Sequence, residues 1–124
     1  HFVDEFIARA KQGDVELYGY DNTRSWLYVD DFTEAMERLI HCQAAVGEKI
    51  NIGSNDEVQV LTLAEIIIEK MGISKPIDKH EAPEGSVKRR MPDITKIKTL
   101  TDWQPQTTLE DGLTKTVEYW MDQA

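Results

Sequence analysis

The stretch Tyr18-Gly19-Tyr20-Asp21-Asn22-Thr23-Arg24-Ser25-Trp26-Leu27-Tyr28-Val29-Asp30-Asp31 decides how the chain is read. Residues 19–23 carry turn chemistry, with Asp and Asn beside a glycine. Residues 25–29 are rich in aromatic and β-branched side chains and predict a strand. Asp31 is a good N-cap, and Glu34 three residues later completes a capping box. The helix that follows carries Phe32, Ala35, Met36, Leu39 and Ile40 on one stripe, the spacing of a buried face, and should run to about Ala44. One arginine, Arg24, falls at the mouth of the strand. There a fold can aim a planar, permanently charged guanidinium at an anionic ligand.

Outward from this stretch, strands and helices continue to alternate. Residues 1–10 read as a helix, with Phe2, Phe6 and Ala10 four apart and a stop near Gly13. Residues 15–18 alternate as a short strand. Residues 49–53 predict another strand, and 58–60 a very short extended piece. Thr62 with Glu65 forms a second capping box, opening a helix that Gly72 should end. Residues 77–81 predict a strand leading into a loop at 83–86. Asp93 can cap a short helix over 94–100, Trp103-Gln104-Pro105 breaks the chain, and Thr108 with Asp111 opens a last helix. No segment repeats. The class is therefore α/β or α+β, with about five helices and few short strands for a complete doubly wound sheet.

The 124 residues are expected to form a single domain. At 40% hydrophobic and 30% charged, they read as soluble and globular. No apolar run reaches the roughly 20 residues that span a bilayer, no signal peptide is visible, and no membrane partner is expected. A lone cysteine, Cys42, excludes an internal disulfide and suits a reducing cytoplasm. The net charge of −9 argues against a nucleic-acid surface, which needs a basic stripe. An anionic small ligand would need local positive charge, and the chain offers Lys88-Arg89-Arg90 and the isolated Arg24. A chain opening inside an apolar helix is expected to be cut from something longer or to follow a removed tag.

The order G-x-x-x-x-R-S-W-L-Y-V-D-D, I-N-I-G-S, L-A-E-I-I, R-R-M-P-D-I-T-K, D-W-Q-P and L-E-D-G-L-T-K-T-V-E-Y-W resembles the extended short-chain dehydrogenase/reductases. More narrowly, it is similar to the C-terminal part of the NAD-dependent epimerase/dehydratase family acting on nucleotide sugars. The resemblance implies the substrate-binding part of a Rossmann-type enzyme that is an epimerase, a 4,6-dehydratase or a decarboxylase. Its partner would be a UDP-, dTDP- or GDP-sugar, and the parent enzyme would use NAD or NADP. The family's glycine-rich dinucleotide fingerprint is missing. So is its Tyr-x-x-x-Lys pair: the positions four after Tyr18, Tyr20, Tyr28 and Tyr119 are Asn22, Arg24, Phe32 and Gln123. No catalytic residue and no bound cofactor are therefore expected in this chain, only the substrate side of the parent enzyme.

The resemblance gives Arg24 the substrate diphosphate; the plain alternative is a turn arginine paired with Asp21 or Asp30. Asn51, between two isoleucines in a half-buried strand, would lie near the diphosphate or else tie the strand end to the next loop. Arg89 or Arg90 would add a second phosphate contact. Neighbouring arginines project differently, so one of them should face the ligand, and the alternative is a solvated basic loop. Leu17, Tyr18 and Gly19 would form a backbone shelf beside the nucleotide base. Asp30 and Asp31 point apart at a helix start and make no acid/base pair. His1, His41, Cys42 and His80 fit no zinc spacing, so no metal is expected. Trp26, Trp103 and Trp120 read as packing, with Asp102 where the family's corner has glycine. A second reading is an interaction module without a ligand, whose unpaired edges and apolar faces drive homo-oligomerisation.

Overall fold

The computed structural model describes residues 2–123, and its elements follow the expected order. The helices are α1 (Phe2–Lys11), α2 (Val29–Ile40), α3 (Val60–Met71), α4 (Thr95–Thr101) and α5 (Leu109–Met121). The strands are β1 (Glu16–Tyr18), β2 (Thr23–Ser25), β3 (Glu57–Gln59), β4 (Asp78–His80) and β5 (Arg89–Arg90). The α/β reading with five helices holds. His1, included in the predicted first helix, lies outside the described residues.

The strands form two small sheets. β1 pairs in parallel with β4, while β2 is central to the other sheet, antiparallel to β3 and parallel to β5. Phe6, Ile7, Leu17, Leu63, Ile67, Leu113 and Val117 from α1, β1, α3 and α5, with Trp26 just after β2, build the main core. A second cluster of Ala35, Ile94, Ile97 and Trp103 joins α2 to α4. The six-membered ring of Trp26 packs against Gly112 of α5, so closely that a Cβ there would overlap the indole. Trp120 packs against the edge of the main core.

Several boundaries differ from the expectation, each for a non-local reason. The strand predicted at 25–29 occupies Thr23–Ser25 instead. β2 is placed by its partners on both sides, and Trp26 leaves the ladder to enter the core. Arg24 is consequently a mid-strand residue and not a turn residue. α2 begins at Val29 behind Tyr28, so Asp31 is not its N-cap. Asp31 is instead buried, and its Oδ2 accepts from the Thr107 backbone N–H at 2.9 Å while its carbonyl accepts from Trp103 Nε1 at 3.1 Å. α2 ends at Ile40 and a 3₁₀ turn, Gln43–Ala45, follows. On its predicted buried stripe only Ala35 is fully buried. Leu39 is partly covered, while Phe32, Met36 and Ile40 are exposed.

Thr62 is likewise not a cap. α3 starts two residues earlier, and the N–H groups of Val60 and Leu61 donate to the carbonyls of Asn22 and Tyr20 at 2.9 and 3.0 Å. Gly72 ends α3 in the left-handed region, as expected. Thr108 caps α5 as expected, accepting from the Asp111 N–H at 3.2 Å. Asp93 lies one residue before the N-cap Ile94; its Oδ1 accepts from the Thr95 N–H at 3.0 Å, and hydrogen bonds from Thr95, first from its side chain and then from its backbone, hold the carboxyl below its usual range. Asp102 closes α4 at φ 59°, the backbone a glycine would take there.

Candidate functional site

Three motifs that are distant in sequence meet at the three-stranded sheet. β2 and β5 run in parallel with Thr23 opposite Arg89 and Arg24 opposite Arg90. Residues opposed in a ladder share a face and successive residues alternate, so Arg24 and Arg90 stand on one face and Arg89 on the other. The register thus separates the two neighbouring arginines.

Arg89 is already engaged. Its Nε donates to Glu57 Oε2 at 2.5 Å, and the same oxygen accepts from Thr23 Oγ1 at 2.6 Å. One carboxylate therefore joins all three strands on that face. Glu57 was not singled out from sequence, because its partners come from two other segments. The Arg89 hydrogen bond, and then that of Thr23, holds the Glu57 carboxyl below its usual range.

Arg24 is half-buried, and its Nη1 donates to the carbonyls of Thr23 and Lys88 at 2.7 and 3.4 Å. The alternative pairing with Asp21 or Asp30 is not observed; Asp21 faces Lys88 at 3.4 Å. Arg90 is exposed. Among the described residues, neither Arg24 nor Arg90 forms a salt bridge with a carboxylate.

The third motif is stitched to the same strand. Ser25 Oγ donates to the Ser54 carbonyl at 2.8 Å, the Ser54 N–H donates back to Ser25 Oγ at 3.1 Å, and Ser54 Oγ donates to the Trp26 carbonyl. On the other side, Gly53 packs so tightly on Pro92 that any Cβ would overlap the proline ring. The segment carrying Asn51 is thereby held between the end of β2 and the residues after β5. Its details depart from expectation. Residues 49–53 belong to no ladder among the described residues, and Asn51 is exposed, so the buried-amide argument fails. Ile50 and Ile52 do pack inward, onto the second cluster.

Leu17 is buried in the core at 1% exposure, so only its backbone is available to a ligand. The Tyr18 ring is exposed and stacked on His80, with centroids 4.7 Å apart. A cleft of about 500 Å³ lies between α2 and α4 beside Glu34, Arg38 and Cys42, and another of about 310 Å³ beside Asn55 and Lys98. Neither is lined by Arg24 or Arg90. Among the described residues, no helix is long and apolar enough to cross a membrane.

The mixed α/β fold is that of the Rossmann-type epimerases and dehydratases. The family model described as GDP-mannose 4,6 dehydratase matches residues 2–116, and the chain belongs to the NAD-dependent epimerase/dehydratase family. It is 32% identical to UDP-glucuronic acid decarboxylase 1 of Xenopus tropicalis, over 95% of this chain and 28% of that protein. Among solved structures it is similar to dTDP-glucose 4,6-dehydratase of Bacillus anthracis in complex with NAD, at 32% identity and TM-score 0.82. It is also similar to UDP-glucose 4-epimerase of Thermotoga maritima with UDP-glucose, at 30% identity and TM-score 0.84. Both structural matches cover 98% of this chain and 39% of the other. The chain thus spans between about a quarter and two fifths of the length of these relatives.

Proposed function

We propose that this chain is the nucleoside-diphosphate-sugar-binding part of an NAD(P)-dependent epimerase, 4,6-dehydratase or decarboxylase. Arg24 and Arg90 hold the diphosphate. The observation that carries this reading is their placement on one face of the sheet, with no carboxylate partner among the described residues. Two such guanidiniums repel one another and are best satisfied by an anion with several oxygens. Asn51, on the segment held between the end of β2 and the residues after β5, lies near the diphosphate, and the Leu17 backbone with Tyr18 forms the shelf for the base. The work of this part is positioning: holding the diphosphate fixes the sugar relative to the reacting centre.

The chain's own residues do not fit a dinucleotide. α2, α3, α4 and α5 open behind Tyr28, Gln59, Ile94 and Thr108, and none of these openings is a glycine-rich turn. NAD(P) therefore belongs to the larger enzyme, of which residues 1–124 form one domain, and the whole acts in a reducing cytoplasm where Cys42 stays a thiol. Calorimetric titration with UDP-, dTDP- and GDP-sugars tests the reading. Binding to one of them that weakens in Arg24→Ala supports it. Indifference to all three, or NAD binding by this chain, contradicts it.

A second reading is favoured by α2. Val29, Phe32, Met36 and Ile40 are 62, 45, 40 and 75% exposed, and form an apolar band along one helix. On this reading the chain self-associates through that face. Light scattering that shows only monomer would exclude it.

A further inference from the structure

The two-stranded sheet gathers three metal-ligating side chains that the nucleotide reading does not use. In the β1–β4 register Glu16 stands opposite Asp78 and Tyr18 opposite His80. Because side chains two apart on a strand share a face, Glu16, Asp78 and His80 project to the same side. Their ligand atoms all lie within 4.8 Å of one another.

The distances within the cluster are informative. His80 Nε2 is 3.4 Å from Asp78 Oδ2 and 3.6 Å from Glu16 Oε1. Both exceed the 2.7–3.2 Å of an N–H···O bond. The nitrogen is shielded from solvent and has no hydrogen-bond partner. An orphaned ring nitrogen facing two carboxylates costs stability unless something satisfies it. Two ligands bound at about 2.0–2.2 Å to one tetrahedral zinc lie about 3.3–3.6 Å apart, and the observed separations fall in that range.

The surroundings preserve the arrangement. The Tyr18 ring stacks on His80 at an interplanar angle of 18°, which limits rotation of the imidazole. Arg9, the nearby cation, is directed to Asp14 at 3.5 Å and to the Glu16 carbonyl, not to the Glu16 carboxylate. Among the described residues no lysine or arginine forms a salt bridge with Glu16 or Asp78.

We propose that Glu16, Asp78 and His80 form a divalent transition-metal site, of the one-histidine, two-carboxylate kind that suits zinc, clipping β1 to β4. An isolated two-stranded sheet is marginal, and an ion held from both strands would fix its register. Three protein ligands leave a fourth position for water. Histidine and cysteine spacing in the sequence does not reveal this set, because it is assembled across a parallel ladder.

Titration of the full chain with zinc chloride tests the proposal by calorimetry and by the ring ¹⁵N resonances of the histidines. Saturable binding of one equivalent is expected, with the His80 signals shifting and those of His41 unmoved. His80→Gln and Asp78→Asn should each weaken binding by about tenfold or more, since even the loss of an outer-shell partner costs that much. Zinc should raise the melting temperature of the parent but not of His80→Gln. Glu81→Gln, one residue beyond the cluster, should bind as the parent does. Zinc binding that leaves the His80 resonances unmoved, or that survives unchanged in His80→Gln, would assign the metal to the acidic surface at large and overturn the site. The resonance measurement uses the parent protein and stands even where a variant fails to fold.

Discussion

Arg24 and Arg90 occupy opposed positions on the parallel strands β2 and β5, so their side chains share a face that Arg89 does not. This relationship turns a basic loop into an asymmetric one. One arginine is spent on Glu57, which spans the sheet, and the other is left beside Arg24.

An asymmetry in ligand binding follows. Arg90→Ala should weaken binding of whichever UDP-, dTDP- or GDP-sugar the parent binds by about ten- to a hundredfold, the loss of a charge-assisted hydrogen bond worth about 1.5–3 kcal/mol. Arg89→Ala should leave affinity within about threefold while lowering stability, because it removes the Glu57 tie. Calorimetric titration of the two variants against the parent decides the matter. Equal losses would mean that the register does not sort the two arginines.

Asp31 should behave as a buried tether and not as a helix cap. Asp31→Ala leaves the Thr107 N–H without its acceptor, at a cost of about 1–3 kcal/mol in urea unfolding. Asp31→Asn keeps an oxygen acceptor and should lose less. Its neighbour Asp30 is exposed, and Asp30→Ala should change stability by no more than about 0.5 kcal/mol. A loss at Asp31 no larger than that at Asp30 would show that the Thr107 tether carries no weight.

Gly112→Ala should destabilise by about 1–3 kcal/mol, because the new methyl group must displace the Trp26 indole from its place against α5. Trp26→Phe in the same chain should recover part of the loss by opening space. A thermal unfolding series of the two single variants and the double variant measures the coupling. Additive effects would show that the two residues do not share that space.

What could be read from sequence was what local chemistry decides. Gly72 stopped α3 and Thr108 capped α5 as expected, because each acts on groups within a few residues. Thr62 is not a cap because the helix already opens at Val60, where the N–H groups of Val60 and Leu61 are satisfied by the carbonyls of Asn22 and Tyr20, far back in the chain. Asn51 failed as a buried amide for a related reason. Alternation of Ile, Asn and Ile assigns two faces to a segment but says nothing of whether a neighbouring strand covers the polar one. Arg24 was found as a lone cation before a strand, yet choosing between Arg89 and Arg90 required the register of two segments that meet only in the folded chain. On α2 the apolar spacing was read correctly as a stripe. Its burial was not, since a stripe is buried only where a partner lies against it.

Glu57 gives the site a defined response to acid. Its carboxyl is held below the ordinary value of 4.5, first by the Arg89 hydrogen bond and then by that of Thr23. A carboxylate with a depressed folded pKa stabilises the fold above its unfolded pKa of about 4.3 and loses that contribution as pH falls through the folded value. The tie across β3, β2 and β5 should therefore be intact at neutral pH and weaken only below about pH 4.5. NMR titration of the Glu57 side-chain carboxyl should give a midpoint under 4.5, rising toward that value in Arg89→Ala and, by less, in Thr23→Val. The stability difference between the parent and Arg89→Ala should shrink across the same interval, as protonation removes from the parent what the substitution removed from the variant. A Glu57 midpoint unchanged by Arg89→Ala would show that the close Arg89–Glu57 contact does not persist in solution, and with it would go the separation of Arg89 from the ligand face.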